Sequence, residues 1–244
     1  MEIRIHAPGR DATPLAVIMR TPGHDFELAV GFCLTEGIVE RATDLAEVRY
    51  CLGPDADQEY NVVTVATRRA VDLEGRERAF VSGASCGICG KTTLDQLEVM
   101  CATLGAGPHV NLATLVELPD RLRVGQTLFD ATGGLHAAGL FTESGELVLT
   151  REDVGRHNAV DKVIGNALLA DRIPLDGSLL VVSGRVSFEI VQKAARAGIA
   201  VLVAVSAPSS LAVSTAQRLG MTLVGFVRDG RANVYAGPER VVAG

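Results

Sequence analysis

Tryptophan is absent from this 244-residue chain, and aromatic residues make up only 4% of it. A core must therefore be filled by Val, Leu, Ile and Ala, a composition common in α/β proteins. No apolar run reaches the roughly 18 residues needed to cross a bilayer, and the opening MEIRIHAPGR lacks the apolar stretch and cleavage site of a secretory signal. These absences point to the cytoplasm and away from a membrane. Basic residues are outnumbered, 23 Lys and Arg against 29 Asp and Glu, for a net charge of -6. That balance argues against a broad nucleic-acid-binding surface, while leaving room for a local basic pocket. Cysteine is sparse and odd in number, at five. Such a set does not make a disulfide framework for a chain of this length; in a reducing compartment these are thiols, metal ligands or catalysts.

What is present is an apolar fraction of 48%, enough to bury one large core or two smaller ones. The start reads as strands through Ile3, Ile5, Leu15, Val17 and Met19, broken by the turn Thr21-Pro22-Gly23. Asp25 is expected to cap a helix running to about Gly37, with Phe26, Val30, Cys33 and Leu34 on one face. The β-branched run Val62 to Thr67 reads as a strand, and a helix capped by Thr92 or Thr93 is expected to end near Gly105. Gly105-Ala-Gly-Pro108 is the candidate subdomain boundary. Beyond Leu135 the pattern becomes a hairpin turning near Ser144-Gly145, a helix from His157 to about Leu169, the strand LLVVSG, a helix closed by Gly198, the strand IAVLVAVSA, a helix from Ser209 to Leu219 and the strand MTLVGFV. Alternation of this kind, with continuous apolar strands, predicts a sheet covered by helices.

The segment SGASCGICGKTT holds the most reactive-looking chemistry. Cys86 and Cys89 have redox-motif spacing, the glycines at 83, 87 and 90 let backbone N–H groups approach sulfur, and Lys91 adds positive charge. Each favours thiolate, the nucleophilic form. A second thiol can resolve a disulfide or help release a transferred sulfur. Structural zinc would need further ligands, and no second C-x-x-C or H-x-x-x-H occurs. A phosphate loop is rejected because Ser85 stands where the first glycine belongs. A thioredoxin-type reductase, a sulfur carrier and a cofactor-holding module with incidental cysteines all stay open at this point. Cys33 and Cys101 fall on expected apolar helix faces, and Cys51 has no evident partner.

The segments TPGHDFELAVGFCLTEGIV, SGASCGICGK, TGGLHAAGLF, REDVGRHNAVDKVIG, SGRVSFEIVQKAARAGIAVLVAVSAPSSLAV and LVGFVRDGRANVY, in that order, resemble the FdhD family of formate dehydrogenase accessory sulfurtransferases. The resemblance implies an α/β fold, with a cytidine deaminase-like three-layer C-terminal domain over 109–244 and a smaller α+β N-terminal domain over 1–108. It implies that an L-cysteine desulfurase loads a persulfide on Cys86, with Cys89 as helper. The sulfur then passes to a bis-molybdopterin guanine dinucleotide molybdenum cofactor, bound as client, for formate dehydrogenase. It also implies a homodimer. The segment that meets the guanine nucleotide part of the cofactor matches Phe226, Val227, Arg228, Asp229, Gly230 and Arg231, where the arginines can fork onto phosphate and Gly230 permits close approach; a plain turn with solvated arginines is the competing reading.

Zinc deaminases carry H-x-E at one helix start and P-C-x-x-C at the next. Here the corresponding stretches are His157-Asn158-Ala159 and Ser183-Gly184-Arg185-Val186-Ser187, so the general acid and both cysteines are missing. No metal site is expected. The expectation is a fold reused for nucleotide binding, with His157 hydrogen-bonding the ligand, Arg156 and Arg185 near phosphate and His136, after Thr132-Gly133-Gly134-Leu135, lining the same pocket; a helix-capping His with surface arginines, and a plain hairpin entry at 132–136, are the competing readings.

Overall fold

The computed structural model describes residues 1–51, 60–71 and 101–242. Cys86, Cys89 and the expected start of a helix at Thr92 or Thr93 lie outside those residues. The expected end of that helix is corrected: residues 101–109 contain no helix, so Cys101 does not sit on a helix face.

Strands β1 (Glu2–His6), β2 (Thr13–Val17), β3 (Leu45–Tyr50) and β4 (Val62–Thr67) form a four-stranded sheet in the order β2-β1-β4-β3. Period-two alternation sets its inner face: Ile3 and Ile5 are buried while Glu2, Arg4 and His6 are not fully so. Helix α1 (Asp25–Thr35) packs against this sheet and is buried at every position from Leu28 to Thr35. Such all-round burial means the helix is covered on both sides. Its N-cap is His24, in the left-handed region at φ 57°, rather than the expected Asp25. Asp25 is buried instead, where its Oδ2 accepts from Arg20 Nη2 at 2.8 Å and Tyr50 Oη at 3.2 Å.

The second sheet has six strands: β6 (His136–Thr142), β7 (Leu147–Asp153), β8 (Ser178–Val182), β9 (Val201–Ala204), β10 (Thr222–Arg228) and β11 (Arg231–Ala236). Their order is β11-β10-β9-β8-β6-β7, with β8, β9 and β10 parallel and the other pairings antiparallel. Helices α4 (Arg156–Leu169), α5 (Phe188–Arg196) and α6 (Ser210–Leu219) cover one face. Leu140, Leu180, Leu202 and Leu223 point to that side, in one continuous core with Val30, Leu34, Ile3 and Val65 of the first sheet and α1. Ala137, Leu179, Val181, Val203 and Val224 point the other way, onto helix α2 (Leu112–Val124) through Leu115, Leu118 and Leu122. The central strands are thus apolar on both sides because both faces are covered. Short strands β5 (Val110–Asn111) and β12 (Val241–Val242) pair in parallel.

Helices α1 and α4 touch backbone to backbone at Gly31 and Gly165. Around that crossing lie buried ion pairs. Lys193 Nζ donates to both carboxylate oxygens of Asp161 at 2.9 Å and to Thr35 Oγ1 at 2.8 Å, joining α5, α4 and α1. Lys162 Nζ lies 2.7 Å from Asp153 Oδ2, with both side chains at most 1% exposed. The 105–108 segment is held by the buried Arg240, which donates from Nη2 to the Gly105 carbonyl at 2.8 Å and from Nε to the Ala106 carbonyl.

Candidate functional site

Because β8, β9 and β10 are parallel, their carboxyl ends share one sheet edge, and helices α5 and α6 begin there. Strand β6 runs antiparallel to β8, so its first residue, His136, comes to the same edge. It pairs with Asp153, the last residue of β7, and α4 begins just beyond. Ligand sites of α/β sheets form at such carboxyl edges.

The loops of this edge are stitched together. Ala137 N–H donates to Ser183 Oγ at 2.9 Å, and a Cβ on Gly184 would lie 3.1 Å from His136 Nδ1 and 3.6 Å from Arg156 Cδ. Gly184 thus lets the imidazole and the arginine stem approach the chain closely. Val186 N–H donates to the Ala207 carbonyl at 3.1 Å, and Phe226 N–H to the Ser206 carbonyl at 3.2 Å. The edge therefore runs continuously from His136 through 183–187 and 205–209 to the β10 end. The segment ahead of His136 is held from beneath: helix α3 (Thr127–Thr132) is anchored by buried Glu152, whose carboxylate accepts from Leu128 N at 2.8 Å and Phe129 N at 2.9 Å.

Four of the expected ligand residues, His136, Arg156, His157 and Arg185, meet here. His157 Nε2 is 3.0 Å from Ser187 Oγ and 3.1 Å from Glu189 Oε2. Arg185 is exposed on the loop before α5. Burial, then the charges of Arg156, His157 and Arg185, hold His136 below its ordinary value and favour its neutral form. Burial pushes the Glu189 carboxyl up, but hydrogen bonds from His157 and Ser187 and the charges of His157 and Lys193 outweigh it and leave the group below its ordinary value. Arg156 Nε is buried and has no hydrogen-bond partner among the described residues.

The β10–β11 hairpin projects past this edge. Arg228 pairs with Arg231 across Asp229 and Gly230, whose φ values of 51° and 68° make the primed turn that suits a two-residue hairpin. Phe226 also has a positive φ, 53°, within a register shift between Gly225 and Arg228. That irregularity aims Phe226 N–H at Ser206 and sets the Arg228 guanidinium 5.8 Å from the Phe226 ring centroid, within cation–π range. Arg228, Asp229, Gly230 and Arg231 are exposed, whereas the Val227 side chain is buried in the core beneath, so only its backbone can reach a ligand.

Ser187 and Glu189 had no assigned role from the sequence. A signal existed, since S-x-E at a helix start matches a cap with an acid in the first turn, but its pairing with His157 depends on how the sheet places α4 beside α5. Among the described residues no group of three His, Cys, Asp or Glu side chains is arranged to hold a metal ion. Of the cysteines, Cys33 is fully buried and its thiol is pushed up by burial and by Asp161 and Glu36. Cys51, for which the sequence named no partner, lies 2.7 Å from Thr64 Oγ1.

Residues 4–242 match the model of the FdhD/NarQ family. A protein named sulfur carrier protein FdhD from Streptomyces avermitilis is 52% identical over 248 residues, covering 99% of this chain and 86% of that protein. One of the same name from Mycobacterium tuberculosis is 48% identical over 250 residues, covering 99% and 89%. A crystal structure of a protein from Desulfotalea psychrophila, described as a formate dehydrogenase accessory protein, superposes with a TM-score of 0.72 at 27% identity, covering 99% of this chain and 89% of that one. A family match from end to end, with half the residues identical in relatives of the same length class, leaves one conclusion: the chain belongs to the FdhD/NarQ family.

Proposed function

We propose that this protein is a cytoplasmic sulfur carrier that matures formate dehydrogenase, taking persulfide sulfur from an L-cysteine desulfurase onto Cys86 and passing it to a molybdenum cofactor bound as client through its guanine nucleotide. The sulfur half of this reading is supported by the name shared by its relatives. The observation that carries the ligand half is Arg156, whose buried Nε has no hydrogen-bond partner among the described residues. A buried guanidinium nitrogen without an acceptor is costly unless a ligand supplies one. Arg185, Arg228 and Arg231 stand exposed along the same edge, a donor set that fits a diphosphate. The covered six-stranded sheet is read as a cytidine deaminase-like domain over 109–244 beside a smaller domain over 1–108, and the working unit as a homodimer.

In loading, the Cys86 thiolate attacks the outer sulfur of the desulfurase persulfide. A new S–S bond forms on Cys86, the old one breaks, and the desulfurase cysteine leaves as thiolate. Delivery as sulfide needs two electrons. Cys89 thiolate supplies them by attacking Cys86 Sγ, closing a Cys86–Cys89 disulfide and expelling the outer sulfur as hydrosulfide.

The test is intact mass after incubation with a cysteine desulfurase and L-cysteine. An adduct of about 32 Da, one sulfur atom, should form and disappear in Cys86→Ala. No adduct on the wild-type chain would leave a cofactor-holding module, and an adduct persisting in the variant would move the carrier site elsewhere.

A further inference from the structure

Ser187 occupies the N-cap position of α5, yet its side chain makes no hydrogen bond to the helix backbone. Ser209, at the same position of α6, accepts from Ala212 N at 3.1 Å in the ordinary way. What diverts Ser187 is Glu189: the Ser187 hydroxyl donates to Glu189 Oε2 at 3.2 Å, and His157 Nε2 reaches the same oxygen at 3.1 Å. An ionised carboxylate only accepts, so Nε2 must carry the hydrogen that lies between them. Nδ1 is the other ring nitrogen, and among the described residues it has no hydrogen-bond partner. A proton taken up by this ring therefore goes to Nδ1.

We infer that Glu189 is a positioning residue of the ligand site: it fixes His157 as an Nε2–H donor, so that Nδ1, once protonated, donates to an oxyanion of the bound nucleotide. This inference rests on the reading that the sheet edge binds a phosphate-bearing nucleotide. Charged and titratable groups face the pair from each neighbouring element. His136 comes from β6, Arg156 from α4, Arg185 from the loop before α5, and Lys193 lies one turn further along α5. The arginines and His136 do not contact the carboxylate by hydrogen bond or ion pair among the described residues; its contacts at the edge are His157 and the Ser187 hydroxyl, and of these two only His157 can present a cation to a ligand. Glu189 ionises readily here, consistent with its carboxyl lying below the ordinary value.

The experiment titrates guanosine diphosphate into the full chain by calorimetry from about pH 5.5 to about pH 8.5. The wild-type chain should bind more tightly as pH falls across this range, because Nδ1 donates only from a protonated ring. Glu189→Gln should bind about fivefold more weakly near neutral pH, because the carboxylate that orients His157 as an Nε2–H donor is gone. Glu189→Asp, which keeps the charge, should restore most of the affinity; it also provides a folded variant should Gln impair folding. His157→Ala should flatten this part of the profile, and adding Glu189→Gln to it should cost little more. A Glu189→Gln profile matching wild type, or an undiminished loss in the His157→Ala background, would overturn the positioning role while leaving the nucleotide reading in place. A wild-type chain that does not bind guanosine diphosphate at all would overturn both.

Discussion

Gly31 of α1 and Gly165 of α4 meet with no room for a methyl group between their helices: a Cβ on Gly31 would stand 1.9 Å from the Asp161 carbonyl oxygen, and one on Gly165 1.8 Å from that of Glu27. The blocking atoms are backbone, so relief requires the helices to part. Gly165→Ala should therefore destabilise the protein by about 3 kcal/mol, read as a lowered urea midpoint. A loss below about 0.5 kcal/mol, the scale of a surface change, would show that the crossing is looser than described.

The buried Lys193–Asp161 pair makes a second stability prediction. Lys193→Met leaves Asp161 and Thr35 facing each other without the cation, and should cost about 3 to 5 kcal/mol. Replacing both partners, Lys193→Met with Asp161→Leu, should recover much of that loss, since the fully buried Asp161 charge is then removed together with its cation. Chemical denaturation of the three chains measures the coupling. Equal losses in single and double variants would contradict it.

Acid stability follows from Glu27, which accepts from Arg151 Nη2 at 2.7 Å and Asn166 Nδ2 at 2.9 Å. Burial pushes its carboxyl up, but these hydrogen bonds and the charges of Arg151 and His24 outweigh it and leave the group below its ordinary value. On acidification the unfolded chain thus takes up this proton first. The contribution is fully present above the unfolded value and is lost as pH falls through the lower folded one. Glu27→Gln should be less stable than wild type at neutral pH and lose less stability between about pH 5 and pH 3. Parallel pH dependences for the two chains would contradict this.

For the ligand edge, Arg156→Ala should weaken guanosine diphosphate binding about tenfold, the scale of one charge-assisted hydrogen bond. Added salt should weaken wild-type binding more than that of the variant, because one charge contact is gone. Unchanged affinity would mean that the buried Nε does not face the nucleotide.

Much of the sheet was legible in the sequence. LLVVSG and IAVLVAVSA are continuous apolar runs, and they became the doubly covered strands β8 and β9. The hairpin turning at Ser144-Gly145 and the helix ending at Leu219 also fell where the turn and cap residues put them. Helix α2 was not anticipated, although Asn111 caps it and Leu115, Leu118 and Leu122 share a face, since Pro119 sits inside it. The association of His157 with Ser187 and Glu189 was not legible for a different reason. It depends on β6 pairing beside β8, which carries α4 next to α5, and no local spacing encodes that adjacency. The stretch FVRDGRANV, matched to the ligand segment with a plain turn as the competing reading, forms a hairpin tip whose second strand, β11, was not foreseen, because its polar residues are exposed at a sheet edge.

The proposed exchange gives Cys89 a separable role. Cys89→Ala should still gain the adduct of about 32 Da but fail to discharge it as hydrosulfide, and no intramolecular disulfide should appear. Normal discharge from that variant would assign the electrons to another donor.

The most direct test of the central claim is a single-turnover chase. Protein loaded with persulfide at Cys86 and freed of desulfurase and L-cysteine is mixed with the unsulfurated molybdenum cofactor and cofactor-free formate dehydrogenase. The adduct should disappear from the protein in step with the gain of formate oxidation, and Cys86→Ala should give neither. Activity that rises while the adduct stays in place, or that rises equally with the variant, would contradict sulfur carriage by this protein.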